Sequence, residues 1–195
     1  MSMKYRTILL FGAPGSGKGT QGKILGTIPN FFHMACGEVF RNLTIESELG
    51  STFIEYSKQG KLVPDEPTLR LWRQTLEASQ QAGRFNPTQD LLVLDGIPRS
   101  ANQARILSDT LDVRAIINLR CPDFSKLVER LQRRALRENR LDDANLEVIR
   151  QRLETYERES RPVLDFYGAG LLRAIDATQP PHRVLRDILN VIDGI

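Results

Sequence analysis

Gly12-Ala13-Pro14-Gly15-Ser16-Gly17-Lys18-Gly19-Thr20 decides the fold of this chain. The run follows four apolar residues, Ile8-Leu9-Leu10-Phe11, and leads into a segment of helical character. Glycines let successive backbone N–H groups turn inward around an anion. A helix N-terminus adds partial positive charge, and the lysine reaches terminal phosphates. Strand, glycine-rich turn and helix in that order predict a phosphate-binding loop. Gly19 stands where most such loops carry the Ser or Thr that holds magnesium, so a metal ion must be held otherwise. Gly17, Gly19 and Gly22 also spell G-x-G-x-x-G, with Glu38 at a distance suited to a ribose contact. The dinucleotide fingerprint needs its first glycine at the tight turn after the strand, and Gly17 lies several residues beyond it, so that alternative is discounted.

Further apolar runs alternate with amphipathic segments. Leu91 to Leu94, Ala115 to Leu119 and Leu171 to Ile175 join Ile8 to Phe11 as expected buried strands, with Phe31 to Met34 a weaker fifth. Phe124, Leu127, Val128 and Leu131 fall at helical spacing, as do Val184, Leu185, Ile188 and Ile192. Leu146, Ile149, Leu153 and Tyr156 do the same and leave Arg152 on another face. The alternation predicts an α/β fold, a doubly wound, parallel five-stranded sheet with helices on both sides. Cys36 to Leu62 has helical signal and no strand, and reads as an inserted helical lobe. Arg133 to Asp143 is arginine-rich and apolar-poor, a short excursion between two helices. Such excursions at strand carboxyl ends are where this architecture binds ligands.

A chain of 195 residues is long enough for one domain with a buried core, and 41% hydrophobic and 26% charged residues are ordinary for a globular protein. A net charge of +3 gives no reason to expect nucleic acid as a partner. Arginine outnumbers lysine, which suits planar grips on phosphate. Cys36 and Cys121 have neither metal-ligand nor redox spacing, so a reducing compartment is expected. Lys4 and Arg6 before the first apolar run could mimic a signal peptide, but the run is short and passes straight into the loop. A cytoplasmic monomer that binds no membrane is the expectation.

The run Leu91 to Leu94 ends in Asp95-Gly96-Ile97-Pro98-Arg99. An apolar strand ending in aspartate beside the loop strand aims a carboxylate at a metal, usually through water. Arg99 could clamp a phosphate. With the loop, this segment makes the chain resemble the adenylate kinases of the nucleoside monophosphate kinase family, in a short-lid form, over essentially its whole length. G-x-P-G-x-G-K-G-T, with Gly after Lys, is that family's own variant, and D-G-x-P-R is its second signature.

The resemblance implies reversible transfer of the γ-phosphoryl group of ATP to AMP, giving two ADP. It implies one P-loop kinase domain over 1–195, with a monophosphate-binding lobe at 35–63 and a short lid at 133–143. Gly15, Ser16, Gly17, Lys18, Gly19 and Thr20 would hold ATP, with Arg130 and Arg134 from the lid side and Gln179, in the Asp176 to Pro180 loop, near its adenine. Ala35-Cys36-Gly37-Glu38 with Arg41, and Gly60-Lys61-Leu62-Val63, match the acceptor lobe. Cys36, Arg41, Lys61, Leu62, Val63, Gly96, Arg99, Gln103, Arg140 and Arg152 would bind AMP, Gln103 through its adenine. Lys18, Asp95, Arg99, Arg140 and Arg152 would be catalytic, Arg140 and Arg152 closing on the phosphates. Mg²⁺ would arrive with ATP, held through water near Asp95 with no direct protein ligand. The lid segment has no Cys or His, so no zinc is expected.

The family pattern is broken at three places. Cys36 stands where adenylate kinases usually have Thr beside the base, and a thiol is a poor hydrogen-bond partner. Ile97 replaces a Phe, removing an aromatic surface near the acceptor. One extra residue at or near Ala144 leaves Arg137 as an alternative to Arg140. Two other functions stay open at this point: a kinase for UMP, CMP or another monophosphate, and a catalytically silent nucleotide-binding protein. Pyrimidine kinases tend to carry Ala near Cys36 and Asn near Gln103, and only the first position departs here.

Overall fold

In the computed structural model, which describes residues 4–138, 140–143 and 145–195, five strands form one sheet. They are β1 (Tyr5–Phe11), β2 (Phe31–Ala35), β3 (Leu91–Asp95), β4 (Leu111–Arg120) and β5 (Leu172–Asp176). Their order is β2-β3-β1-β4-β5 and every pairing is parallel. The expected doubly wound sheet is therefore present, including the weak strand at Phe31. Parallel strands need long crossovers, and the helices supply them. These are α1 (Lys18–Leu25), α2 (Cys36–Arg41), α3 (Glu48–Lys58), α4 (Asp65–Gln81), α5 (Ala101–Leu107), α6 (Phe124–Glu138), α7 (Leu146–Thr155), α8 (Val163–Tyr167) and α9 (Pro181–Ile192).

Side chains alternate across a strand, and the core divides accordingly. Ile8, Leu10, Val93 and Ile117 face α1 and α9, where they meet Leu25, Val184 and Ile188. Leu9, Phe11, Leu92, Leu94 and Ile116 face the other side, with Trp72 and Leu76 of α4 and Leu107 of α5. A small third cluster, Leu127 and Leu131 of α6 with Ile149 and Leu153 of α7, packs against Ala13 of the loop. It fastens the arginine-bearing helices to the phosphate loop.

The excursion expected over 133–143 is shorter than that. Helix α6 runs through Arg133 to Glu138, and a 3₁₀ turn covers Leu141–Asp143. Beyond Leu131 the helix end leaves the core, and its one large apolar side chain there, Leu136, is 89% exposed. Phe124 and Leu146, expected on buried faces, are 50% and 49% exposed. Each is the first residue of its helix, just beyond the edge of the cluster its helix covers. No described helix is long and apolar enough to cross a membrane.

Candidate active site

Parallel register places Leu10 of β1 opposite Asp95 of β3, so the carboxyl ends of these two strands, and the loops that follow, open together. This is the switch point at which open α/β sheets bind ligands. Gly17 caps α1 at φ 101°, and Gly15 lies at φ 84°. A Cβ on Gly15 would come within 2.8 Å of the Leu127 carbonyl, because α6 is seated directly on the loop. Gly22 is needed for another contact: a side chain there would strike the His33 imidazole. Glu38 pairs with Lys23 at 2.8 Å.

The loop, the ends of β2 and β3, α6 and the turn after it enclose one cavity of about 630 Å³. Gly15, Ser16, Gly17, Lys18, Gly19, Thr20, Arg130, Arg134 and Gln179 line it. So do Cys36, Arg41, Lys61, Leu62, Val63, Asp95, Gly96, Arg99, Gln103, Arg140 and Arg152. Every site residue expected from sequence is brought to this one space. Ile97 is not part of its wall. It is 1% exposed within the core, so the exchange of an aromatic residue there alters packing and not the acceptor surface. The residue before it is shaped by a neighbour. A Cβ on Gly96, at φ 80°, would lie 2.8 Å from the Arg99 guanidinium, which folds across it.

Lys18 turns back onto its own loop, donating to the Gly12 carbonyl at 2.6 Å and to that of Ala13 at 3.2 Å. Burial pulls its pKa down to about 8, with Asp95 opposing and Arg99, Arg134 and Arg152 adding to the fall. Two buried polar atoms point the same way. Ser16 Oγ and one terminal nitrogen of Arg134 have no hydrogen-bond partner among the described residues. Buried donors of this kind are costly unless something accepts from them, and an anion in the loop would. Arg41 is also drawn down, to about 10, first by desolvation and then by the nearby Arg140.

Arginines on the lid side are held by two carboxylates that the sequence reading did not single out. Asp143 is fully buried and pairs with Arg134 at 2.7 Å, with Arg140 at 3.3 Å and with Arg152. Asp142 pairs with Arg152 at 2.6 Å and Arg140 at 3.1 Å. Burial works against its charge, but Arg152 and Arg140 prevail and hold its pKa at about 2. The available signal was a pair of adjacent acids two and three residues after Arg140 in a mostly cationic stretch. This network also favours Arg140 over Arg137. Arg140 is tied to both carboxylates, whereas Arg137, exposed near the end of α6, lines the cavity without joining them.

At the other end of the cavity Phe40 and Phe53 stack at 5.2 Å beside Leu62 and Val63. Cys36 lies there with its thiol neutral, burial pushing it up to about 11. Gln103 closes that end. A family model described as "Adenylate kinase" matches residues 10–170. The chain belongs to the adenylate kinase family. Curated relatives agree along nearly its full length. An adenylate kinase of a Cyanothece species is 36% identical over 96% of this chain and 95% of its own. One from Leptospira biflexa is 34% identical over 96% of this chain and 100% of its own. A third, from Corynebacterium urealyticum, is 38% identical over 87% and 90%. The loop, the Asp95 segment and the lid-side arginines on which the resemblance rested all lie within residues 10–170.

Proposed function

We propose that this chain transfers the γ-phosphoryl group of ATP reversibly to AMP, giving two ADP. The observation that carries this reading is the single cavity with a phosphate loop at one end, an apolar pocket closed by an amide at the other, and arginines between. The ATP phosphates would lie in the loop against its N–H groups and Lys18, and the acceptor phosphate against Arg41 and Arg99. Arg134, Arg140 and Arg152 would draw the two polyanions into line. A monophosphate is already an anion near neutral pH, so no general base is required. The work is positioning and charge neutralisation.

Magnesium fits the residues present. No group of three His, Cys, Asp or Glu side chains suited to a metal occurs among the described residues. Gly19 leaves open the space in front of Asp95, a Cβ there lying 3.7 Å from the carboxylate. One carboxylate with phosphates and water is a donor set that Mg²⁺ accepts. Bound with ATP, the ion would neutralise charge on the β- and γ-phosphates.

Segments 35–63 and 133–143 act as a monophosphate-binding lobe and a short lid, closing to exclude water that would otherwise hydrolyse ATP. Their contact with one another, α3 of the lobe against the 3₁₀ turn Leu141–Asp143, supports this, and the helix that follows the lid adds to it. Gly60 rests against Val148 and Gln151 of α7, so closely that a Cβ would approach both at 3.1 Å.

Purified protein with ATP–Mg²⁺ and a panel of AMP, dAMP, CMP, UMP and GMP tests the proposal. ADP formed from AMP in preference to the others is expected. A preference for UMP or CMP would replace the reading with that of a pyrimidine kinase, and no transfer at all with that of a silent binder. The Lys18 ammonium also predicts a pH profile. In the free enzyme it is lost above about pH 8, so kcat/KM for ATP falls there, by about tenfold per pH unit. Bound polyphosphate stabilises the ammonium, so kcat at saturating ATP holds to higher pH. Parallel declines of kcat and kcat/KM would contradict this.

A further inference from the structure

Gln103 is 2% exposed, and both ends of its amide are engaged. Nε2 donates to Asp65 Oδ1 at 2.8 Å. Oε1 accepts from the Arg99 backbone N–H at 2.7 Å. Neither partner can change polarity to suit the amide. A backbone N–H only donates, and the Asp65 carboxylate is already an acceptor for Ser100 Oγ at 3.0 Å and Asn102 Nδ2 at 2.8 Å. Turning the amide over would set Oε1 against a carboxylate and Nε2 against an N–H, exchanging two bonds for two repulsive contacts. The amide is therefore held in one orientation. Each end keeps one capacity unspent, a lone pair on Oε1 and a hydrogen on Nε2, where Gln103 meets the cavity.

We infer that Asp65, through this lock on Gln103, is the positioning residue that makes the acceptor site select 6-amino over 6-oxo purines. The inference rests on reading Gln103 as the group that meets the acceptor base. A base held by a clamped phosphate cannot turn over freely, so it must offer a donor to Oε1 and an acceptor to Nε2. Adenine does, through its 6-amino group and N1. Hypoxanthine and guanine present the reverse, an oxygen at position 6 and a hydrogen on N1. A free glutamine would flip to suit them, and a locked one does not. Cytosine has the polarity of adenine and uracil that of hypoxanthine. The lock thus rejects UMP, and CMP is left to be distinguished by the reach of a smaller ring.

AMP and IMP differ only at this edge and form the test pair. The wild-type ratio of kcat/KM for AMP over IMP is expected to be at least about a hundredfold. Asp65→Asn offers Gln103 either a donor or an acceptor and so removes one of the two repulsive contacts of a turned amide, the Arg99 N–H keeping the other. It lowers the ratio at least about tenfold, with kcat/KM for IMP rising and no change in KM for ATP. In a Gln103→Ala background the same substitution leaves the ratio where Gln103→Ala alone put it. If Asp65→Asn lowers both activities together and keeps the ratio, Asp65 is merely structural and the inference is overturned. A wild-type ratio below about ten overturns it whether or not the variant folds. Absence of transfer to any monophosphate would instead remove the functional reading beneath it.

Discussion

Lys18→Met lowers kcat by at least about a hundredfold while the protein stays folded. The lysine is the one ammonium group in the phosphate loop, and it donates to two of that loop's own carbonyls. Those contacts are the ones a triphosphate would take over. Methionine nearly matches its length and fills the same buried channel, so the loop glycines and α1 are left as they are. Removing one preorganised charge from a water-excluded site costs about 3–4 kcal/mol in the transition state, more than a hundredfold in rate. Stability should move little or rise, because burial already disfavours this cation. A continuous ADP-formation assay and a thermal melt check the two halves. Turnover like that of wild type would remove Lys18 from the mechanism, and a collapsed melting temperature would show that its role is to hold the loop.

Arg152→Ala also lowers kcat by about a hundredfold or more, but here stability falls with it. Arg152 is paired to Asp142 and Asp143, and Asp143 has no exposed surface. Taking one partner from a buried ion pair can cost about 3–5 kcal/mol, since the other charge is left without compensation. Arg134 and Arg140 still hold Asp143, so the expected loss is nearer 1–3 kcal/mol. Arg152→Lys separates the two effects. An ammonium restores charge beside the carboxylates and most of the stability, but not the planar fork that grips phosphate, so kcat stays low. A variant that loses stability and keeps wild-type kcat would leave Arg152 a structural cation only.

The two arginines illustrate how far the sequence could be read. Arg130 and Arg134, four apart in a helix, had to share a face, and both reach the cavity. Arg137 and Arg140 both line the cavity, and that Arg140 is the one tied to Asp142 and Asp143 is a matter of three-dimensional packing. Phe124 and Leu146 show the opposite limit. Periodicity says which face of a helix is apolar, but not where along the helix the neighbouring layer ends. Ile97 makes a similar point: its place near the acceptor motif suggested a wall residue, and its side chain points into the core.

What the sequence alone determined was local. A glycine-rich turn that only positive φ allows, apolar runs of strand length and helical spacings of leucine and isoleucine are set by neighbours within a few residues. They sufficed for the sheet and the phosphate loop, while the list of residues that would gather there came from the resemblance to the family. Tertiary structure decided which charges oppose which: Asp95 beside Leu10, two aspartates among three arginines, and Asp65 bonded to an amide 38 residues away. Polarity at such contacts depends on distances and directions between elements far apart in the chain, and residue type and spacing do not encode these.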